Sequence, residues 1–151
     1  MLAAKNFQSG LQMLRQVEFS LYDIILHANF DAQDSGAIHH VLQTIRDDIA
    51  VVRPPEFNRF QHSFSHIFAG GYSAGYFSYK WAEVLSADVF ATFEAAQAMG
   101  APLLNAELGH QYWDNILSVG GSRPAMESFK AFMGREPDVA ALLRHSGLSA
   151  A

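Results

Sequence analysis

The sequence predicts an all-α fold of about six helices joined by short loops. Apolar residues recur at the 3.6-residue helical period along most of the chain, and no convincing run alternates apolar with polar as a half-buried strand does. Prolines and paired glycines fall between the periodic stretches and mark the breaks. At 151 residues the chain is long enough for a real core, and one helical domain over 1–151 is expected.

The first helix is expected from about Asn6 to Phe30, with Phe7, Leu11, Leu14, Leu21 and Ile25 on one stripe. Glu18 interrupts that stripe. A carboxylate on an apolar face is either paired and structural or functional, and Arg15, three residues earlier, is a ready partner. Asp23 and His27 share another face; such a pair can orient an imidazole, but exposed pairs of this kind are common. A polar break from Asp31 to Gly36 follows, in which Asp34 or Ser35 can cap the next helix. That helix, about Ala37 to Val52, carries Ile38, Val41, Leu42, Ile45, Ile49 and Val52 on one face. Its adjacent His39 and His40 point apart and read as solvent-facing. Arg53-Pro54-Pro55 ends it.

After a loop from Glu56 to Gln61 comes His62-Ser63-Phe64-Ser65-His66. Two histidines four apart have the spacing of a zinc-binding helix. The peptidase motif, however, needs a glutamate directly after the first histidine, and Ser63 stands there. With no thiolate and no third ligand at a telling spacing, no metal is expected on this chain.

The richest stretch runs from His66 to Trp81. Gly70-Gly71 lets the backbone take a positive φ or approach another group closely. Tyr72, Tyr76 and Tyr79 fall at i, i+4 and i+7, which on a helix puts them on one face. A helix is expected from Ser73 to about Ala96, apolar nearly all round, with Phe77, Trp81, Val84, Leu85, Val89 and Phe93. The arc of Tyr72, Tyr76, Tyr79 and Glu83 is the exception, a polar-tipped seam suited to a cleft wall. Hydroxyls and an imidazole that converge are donors for a substrate, although tyrosines at this spacing also serve as core residues with satisfied hydroxyls. Asp88 lies among apolar residues and needs a partner.

Met99-Gly100-Ala101-Pro102 is a break, and a helix from about Asn105 to Val119 stops at Gly120-Gly121. Ser122 can cap a short helix with Pro124 in its first turn, ending at Gly134. Pro137 opens a last helix that ends near Gly147.

Composition narrows the function. Net charge is −5 with no basic block, so nucleic-acid binding has no electrostatic footprint. There is no cysteine, hence no disulfide and no thiolate metal site. No apolar run approaches a membrane span, and the first residues lack a signal-peptide layout, so a cytoplasmic setting is expected. Charged residues make up only 17%, against about 25% for ordinary soluble domains. Part of the surface is therefore expected to meet a partner, either another subunit or a further part of the same polypeptide.

Several separated motifs carry a resemblance. They include Phe64-Ser65-His66-Ile67-Phe68-Ala69-Gly70-Gly71-Tyr72, Ala74-Gly75-Tyr76 and Ser78-Tyr79-Lys80-Trp81-Ala82-Glu83. Others are Leu14-Arg15-Gln16-Val17-Glu18-Phe19, Asn115-Ile116-Leu117-Ser118, Gly120-Gly121-Ser122 and Gly134-Arg135-Glu136-Pro137. In this order they resemble the C-terminal part of the oligopeptidase A and thimet oligopeptidase family of zinc metallopeptidases, its bacterial oligopeptidase A branch most closely. The resemblance implies the C-terminal helical part of a neurolysin-like fold and an enzyme that cleaves short peptides internally with one zinc ion. The zinc ligands would lie outside this chain, before Met1, leaving the chain alone inactive. By the same resemblance His66 and Tyr79 donate to the substrate carbonyl as it becomes an oxyanion, and Tyr72 holds substrate backbone. Gly70 and Gly71 form the adaptable loop, and Tyr76 stands in the substrate-binding seam. Phe77 departs from the family, which often has a tyrosine there, and receives no role. The implied partners are short peptides and the N-terminal part of the same polypeptide. The alternative, from a different class, is a stand-alone helical module that binds peptides without cutting them or associates with itself.

Overall fold

Glu18, in the middle of the first apolar stripe, shows how the first part of the chain is tied together. It is 2% exposed. Arg15 donates to both of its carboxylate oxygens at 2.8 and 2.9 Å, and Arg46 Nε, itself buried, donates to Oε1 at 3.0 Å. The structure, a computed structural model, describes residues 1–148; the last three residues of the expected span lie outside the described residues.

The six expected helices are present, preceded by a one-turn α1, Leu2–Lys5. They are α2 Ser9–Asn29, α3 Ala37–Ile49, α4 Ser78–Ala98, α5 Ala106–Tyr112, α6 Ala125–Met133 and α7 Ala140–His145. No strand occurs among the described residues. The chain separates into two units, Met1–Lys80 and Trp81–Ala151.

In the first unit, α2 and α3 pack around Tyr22, Leu26, Leu42 and Ile45, joined by Phe64, Ile67 and Tyr76. The helix expected from Asn6 begins only at Ser9, because Gln8 takes a left-handed φ of +53° and breaks it from α1. α3 stops at Ile49 rather than Val52, its end marked by Ala50 in extended backbone. Asp34 does sit at the start of α3, accepting the Gly36 N–H at 2.7 Å, while the cap position itself is Gly36. Burial pushes the Tyr22 hydroxyl up to about 12, against the opposing pull of the Arg46 charge. Tyr22 therefore stays neutral.

In the second unit, α4 buries Val84, Ala87, Asp88 and Val89. It is less enclosed than its composition implies: Trp81 and Phe90 are exposed. A cleft of about 560 Å³ lies between α4, α5 and α6, with Leu85, Val89, Phe93, Tyr112 and Phe129 among its walls. α5 runs into a wider π turn at Trp113–Leu117, and Gly120, at φ +53°, ends the helical run. Ser122 does not cap α6. The cap position is Pro124, and Arg123 spans the junction by donating to Ser128 Oγ and the Asn115 carbonyl. Gly134, at φ +69°, closes α6 as expected.

The partner that Asp88 needs is Arg135, which donates to both carboxylate oxygens at 2.6 and 2.7 Å. The Asp138 N–H adds a third bond at 2.8 Å. The Arg135 hydrogen bonds hold the Asp88 carboxyl below its ordinary value, against the opposing effect of burial. A depressed carboxyl binds its proton less readily folded than unfolded. Its stabilisation is thus present above the unfolded value, about 4, and is lost as pH falls through the folded one. Denaturant unfolding from neutrality to about pH 2 should show a loss on the acid side that Asp88→Asn diminishes. Superimposable profiles for the two proteins would mean that the pair contributes nothing.

Candidate functional site

The segment from Phe60 to Lys80 lies wholly in the first unit. Two short 3-10 turns, Phe60–His62 and Ser65–Ile67, lead into a loop closed by its own backbone. The Gly70 N–H donates to the Ser65 carbonyl at 2.8 Å, the Tyr72 N–H to the His66 carbonyl at 3.0 Å and the Ser73 hydroxyl to the Ile67 carbonyl at 2.6 Å. Gly70 is demanded by this closure. A Cβ there would lie 2.8 Å from His66 Cα and 3.1 Å from its carbonyl oxygen, so any side chain displaces the loop. Gly71 follows in the left-handed region at φ +80°.

Next comes a turn, Tyr72 to Phe77, where the sequence predicts helix. Ala74 has φ +54°, an unfavourable conformation for a residue with a Cβ. The turn closes on Asp23 of α2, which is 0% exposed. Asp23 Oδ1 accepts the Ala74 N–H and Oδ2 the Tyr76 N–H, each at 2.9 Å. The N–H of Gly75 between them donates instead to the Tyr72 carbonyl at 2.9 Å. His27 Nδ1 lies 2.9 Å from Asp23 Oδ1 and 2.8 Å from the Asp23 carbonyl oxygen. Asp23 is therefore a buried structural residue, while His27 beside it keeps an exposed edge.

Only Tyr79 stands on α4, so the three tyrosines do not share a helix face. The turn still gathers their rings. Tyr79 lies 5.1 Å from both Tyr72 and Tyr76, centroid to centroid. His66 lies 6.0 Å from Tyr72, 5.8 Å from Tyr76 and 6.4 Å from Tyr79. Beneath them Phe64 meets Tyr76 edge-on at 5.1 Å, and Phe19 stacks on Phe60 at 4.7 Å, with Arg15 over the Phe19 ring.

The members differ in exposure. Tyr76 is 8% exposed and its hydroxyl donates to Gln16 Oε1 at 3.0 Å; burial raises its pKa. Tyr72 and Tyr79 are 38% and 40% exposed. Their hydroxyls are hydrogen-bonded to each other, and that bond holds the Tyr79 proton above its ordinary pKa. His66 is also exposed. The outer surface of the cluster is thus an imidazole beside a hydrogen-bonded phenol pair, and the Tyr79 hydroxyl remains a neutral donor at pH 7. Such a group can donate to a carbonyl oxygen or to the negative charge that develops on it.

His62 and His66 fall on separate 3-10 turns rather than one helix. Among the described residues no three His, Cys, Asp or Glu gather so as to hold a metal ion. The described residues therefore offer no zinc site of their own, and the zinc that the resemblance implies is one whose ligands lie elsewhere. Nor is any described helix long and apolar enough to cross a membrane.

Gln16 and the two backbone bonds of Asp23 are the parts that sequence reasoning missed. Asp23 carried a signal: it is the one charged residue between Phe19 and Leu26, a stretch otherwise apolar except for Ser20 and the Tyr22 hydroxyl.

The model of Peptidase family M3 matches residues 1–148. The chain is 51% identical over 148 residues to oligopeptidase A of Escherichia coli K12, covering 98% of this chain and 21% of that protein. It is 44% identical over 151 residues to a probable cytosolic oligopeptidase A of Arabidopsis thaliana, covering 100% of this chain and 21% of that one. Saccharolysin of Saccharomyces cerevisiae is 35% identical over 149 residues, covering 98% and 20%. The chain thus spans about a fifth of the length of the curated relatives it matches.

Proposed function

This chain belongs to peptidase family M3, and from that premise we propose that it is the C-terminal, substrate-channel portion of a zinc-dependent oligopeptidase that hydrolyses short peptides. The carrying observation is the exposed cluster of His66, Tyr72 and Tyr79. In this reading Tyr79 and His66 donate hydrogen bonds to the scissile carbonyl oxygen as it gains negative charge, and Tyr72 holds the peptide backbone. Tyr76 supports them from beneath, its ring packed on His66 and Tyr79 while its hydroxyl is held by Gln16. The loop at Gly70 and Gly71 gives the substrate side its shape.

Activation of the attacking water falls to groups outside this chain, so this chain contributes only the donors and the positioning. Preorganised donors of this kind are typically worth about 10²–10³ in rate each. The low charge and the exposed Val52, Phe57 and Leu104 suit a surface that meets the rest of a longer polypeptide. A cytoplasmic setting goes with this reading.

The longer polypeptide that carries this chain should hydrolyse short peptides in a chelator-sensitive way, and the purified 151-residue chain should cleave none. Chelator-sensitive hydrolysis by the chain alone would overturn the division of labour. Peptide affinity without turnover in the longer polypeptide would favour a binding module.

A further inference from the structure

We propose that Asp23 is a positioning residue for the tyrosine site, acting from α2 through the backbone of the Tyr72–Phe77 turn. The proposal takes the roles of Tyr72 and Tyr79 from the peptidase reading above; its structural half stands apart from that reading.

Three facts carry it. Asp23 accepts the N–H groups on either side of Gly75, 51 and 53 residues along the chain. Those bonds fall at Ala74, whose left-handed backbone is unfavourable for alanine and needs an outside restraint to persist. The neighbouring His27, held on the same carboxylate, places its ring 6.3 Å from Phe68, the aromatic residue just ahead of Gly70. One buried carboxylate thus sets the turn on the downstream side of the glycine pair, and its imidazole partner meets the upstream side. Tyr72 opens that turn and Tyr79 follows it in the first turn of α4. Freed from Asp23, Ala74 relaxes toward ordinary helical backbone, and the Tyr72 and Tyr79 rings lose their mutual registration.

The chemistry of the site makes the charge matter. Three donors converge on Asp23: the Ala74 N–H, the Tyr76 N–H and His27. An asparagine has one acceptor oxygen, so its amide N–H groups confront at least one of these donors.

Amide exchange and ring contacts, read by NMR on the 151-residue chain, test this. In the native chain the Ala74 and Tyr76 amides should exchange as slowly as that of Leu42 in the core. Asp23→Asn should speed those two by roughly 10- to 100-fold while Leu42 changes little, and the Tyr72–Tyr79 ring contact should weaken. Adding Ala74→Gly, which removes the cost of the left-handed residue, should restore part of that contact. In the longer polypeptide Asp23→Asn should lower kcat by about tenfold or more with KM little moved.

Fast exchange at Ala74 and Tyr76 in the native chain overturns the proposal without any variant. So does a rise as large at Leu42 as at Ala74, which would make Asp23 a residue of general stability, and so does the absence of recovery by Ala74→Gly. If the turn responds as expected but the native longer polypeptide hydrolyses no peptide, the peptidase reading fails and takes the catalytic consequence with it. The hold of Asp23 on the turn then survives.

Discussion

Tyr79→Phe in the longer polypeptide should lower kcat for peptide hydrolysis by about 10²–10³ and leave KM within a few-fold. The substitution removes one oxygen and keeps the ring, so the packing on Tyr72 and Tyr76 at 5.1 Å survives. What goes is a donor whose contribution grows as charge develops on the carbonyl oxygen, so the loss falls on the transition state rather than on the bound peptide. Removal of His66 should cost a similar factor, and the two together less than the product, because in the proposed reading both serve one oxygen. Tyr76→Phe is the control within the cluster. It loses only the bond to Gln16 and should change kcat far less. Steady-state kinetics on a quenched fluorescent peptide decide the matter. A Tyr79→Phe enzyme with native kcat would remove Tyr79 from the chemistry.

The largest effect on stability is expected at Glu18. Glu18→Leu leaves Arg46, buried at the same site, without its carboxylate; the remaining side-chain acceptor is Asn58 Oδ1 at 3.3 Å. Breaking a buried pair from one side typically costs about 3–5 kcal/mol, because the surviving charge remains desolvated. Arg15→Met should cost much less, since Arg15 is partly exposed and the Glu18–Arg46 bond survives it. Replacing Glu18 and Arg46 together by apolar residues should recover most of the loss, as removing both charges removes the desolvation penalty. Urea unfolding of the four proteins measures these differences. A loss below about 1 kcal/mol for Glu18→Leu would mean that water reaches Arg46.

Local periodicity made the six helices legible, along with Gly134 as a helix stop and Arg15 as the near partner of Glu18. It could not show interactions that depend on distant residues. Arg46 is 28 residues from Glu18, and Arg135 is 47 from Asp88. Helix spacing at Tyr72, Tyr76 and Tyr79 predicts that they share one face, which they do not. Their rings do converge, but over a turn whose N–H groups bond to Asp23 instead of continuing α4 backwards. The different fates of the tyrosines were equally hidden. Whether a phenol ends up bonded to Gln16 or exposed beside a neighbour depends on packing across α2, not on its place in a repeat.

The division between Lys80 and Trp81 has a spectroscopic consequence. Both tryptophans, Trp81 and Trp113, belong to the second unit, and four of the five tyrosines belong to the first. Red-edge excitation, which only indole absorbs, therefore reports on one half of the chain, whereas phenol signals come chiefly from the other. A single sample can reveal whether the halves melt together or in sequence, without any label being added.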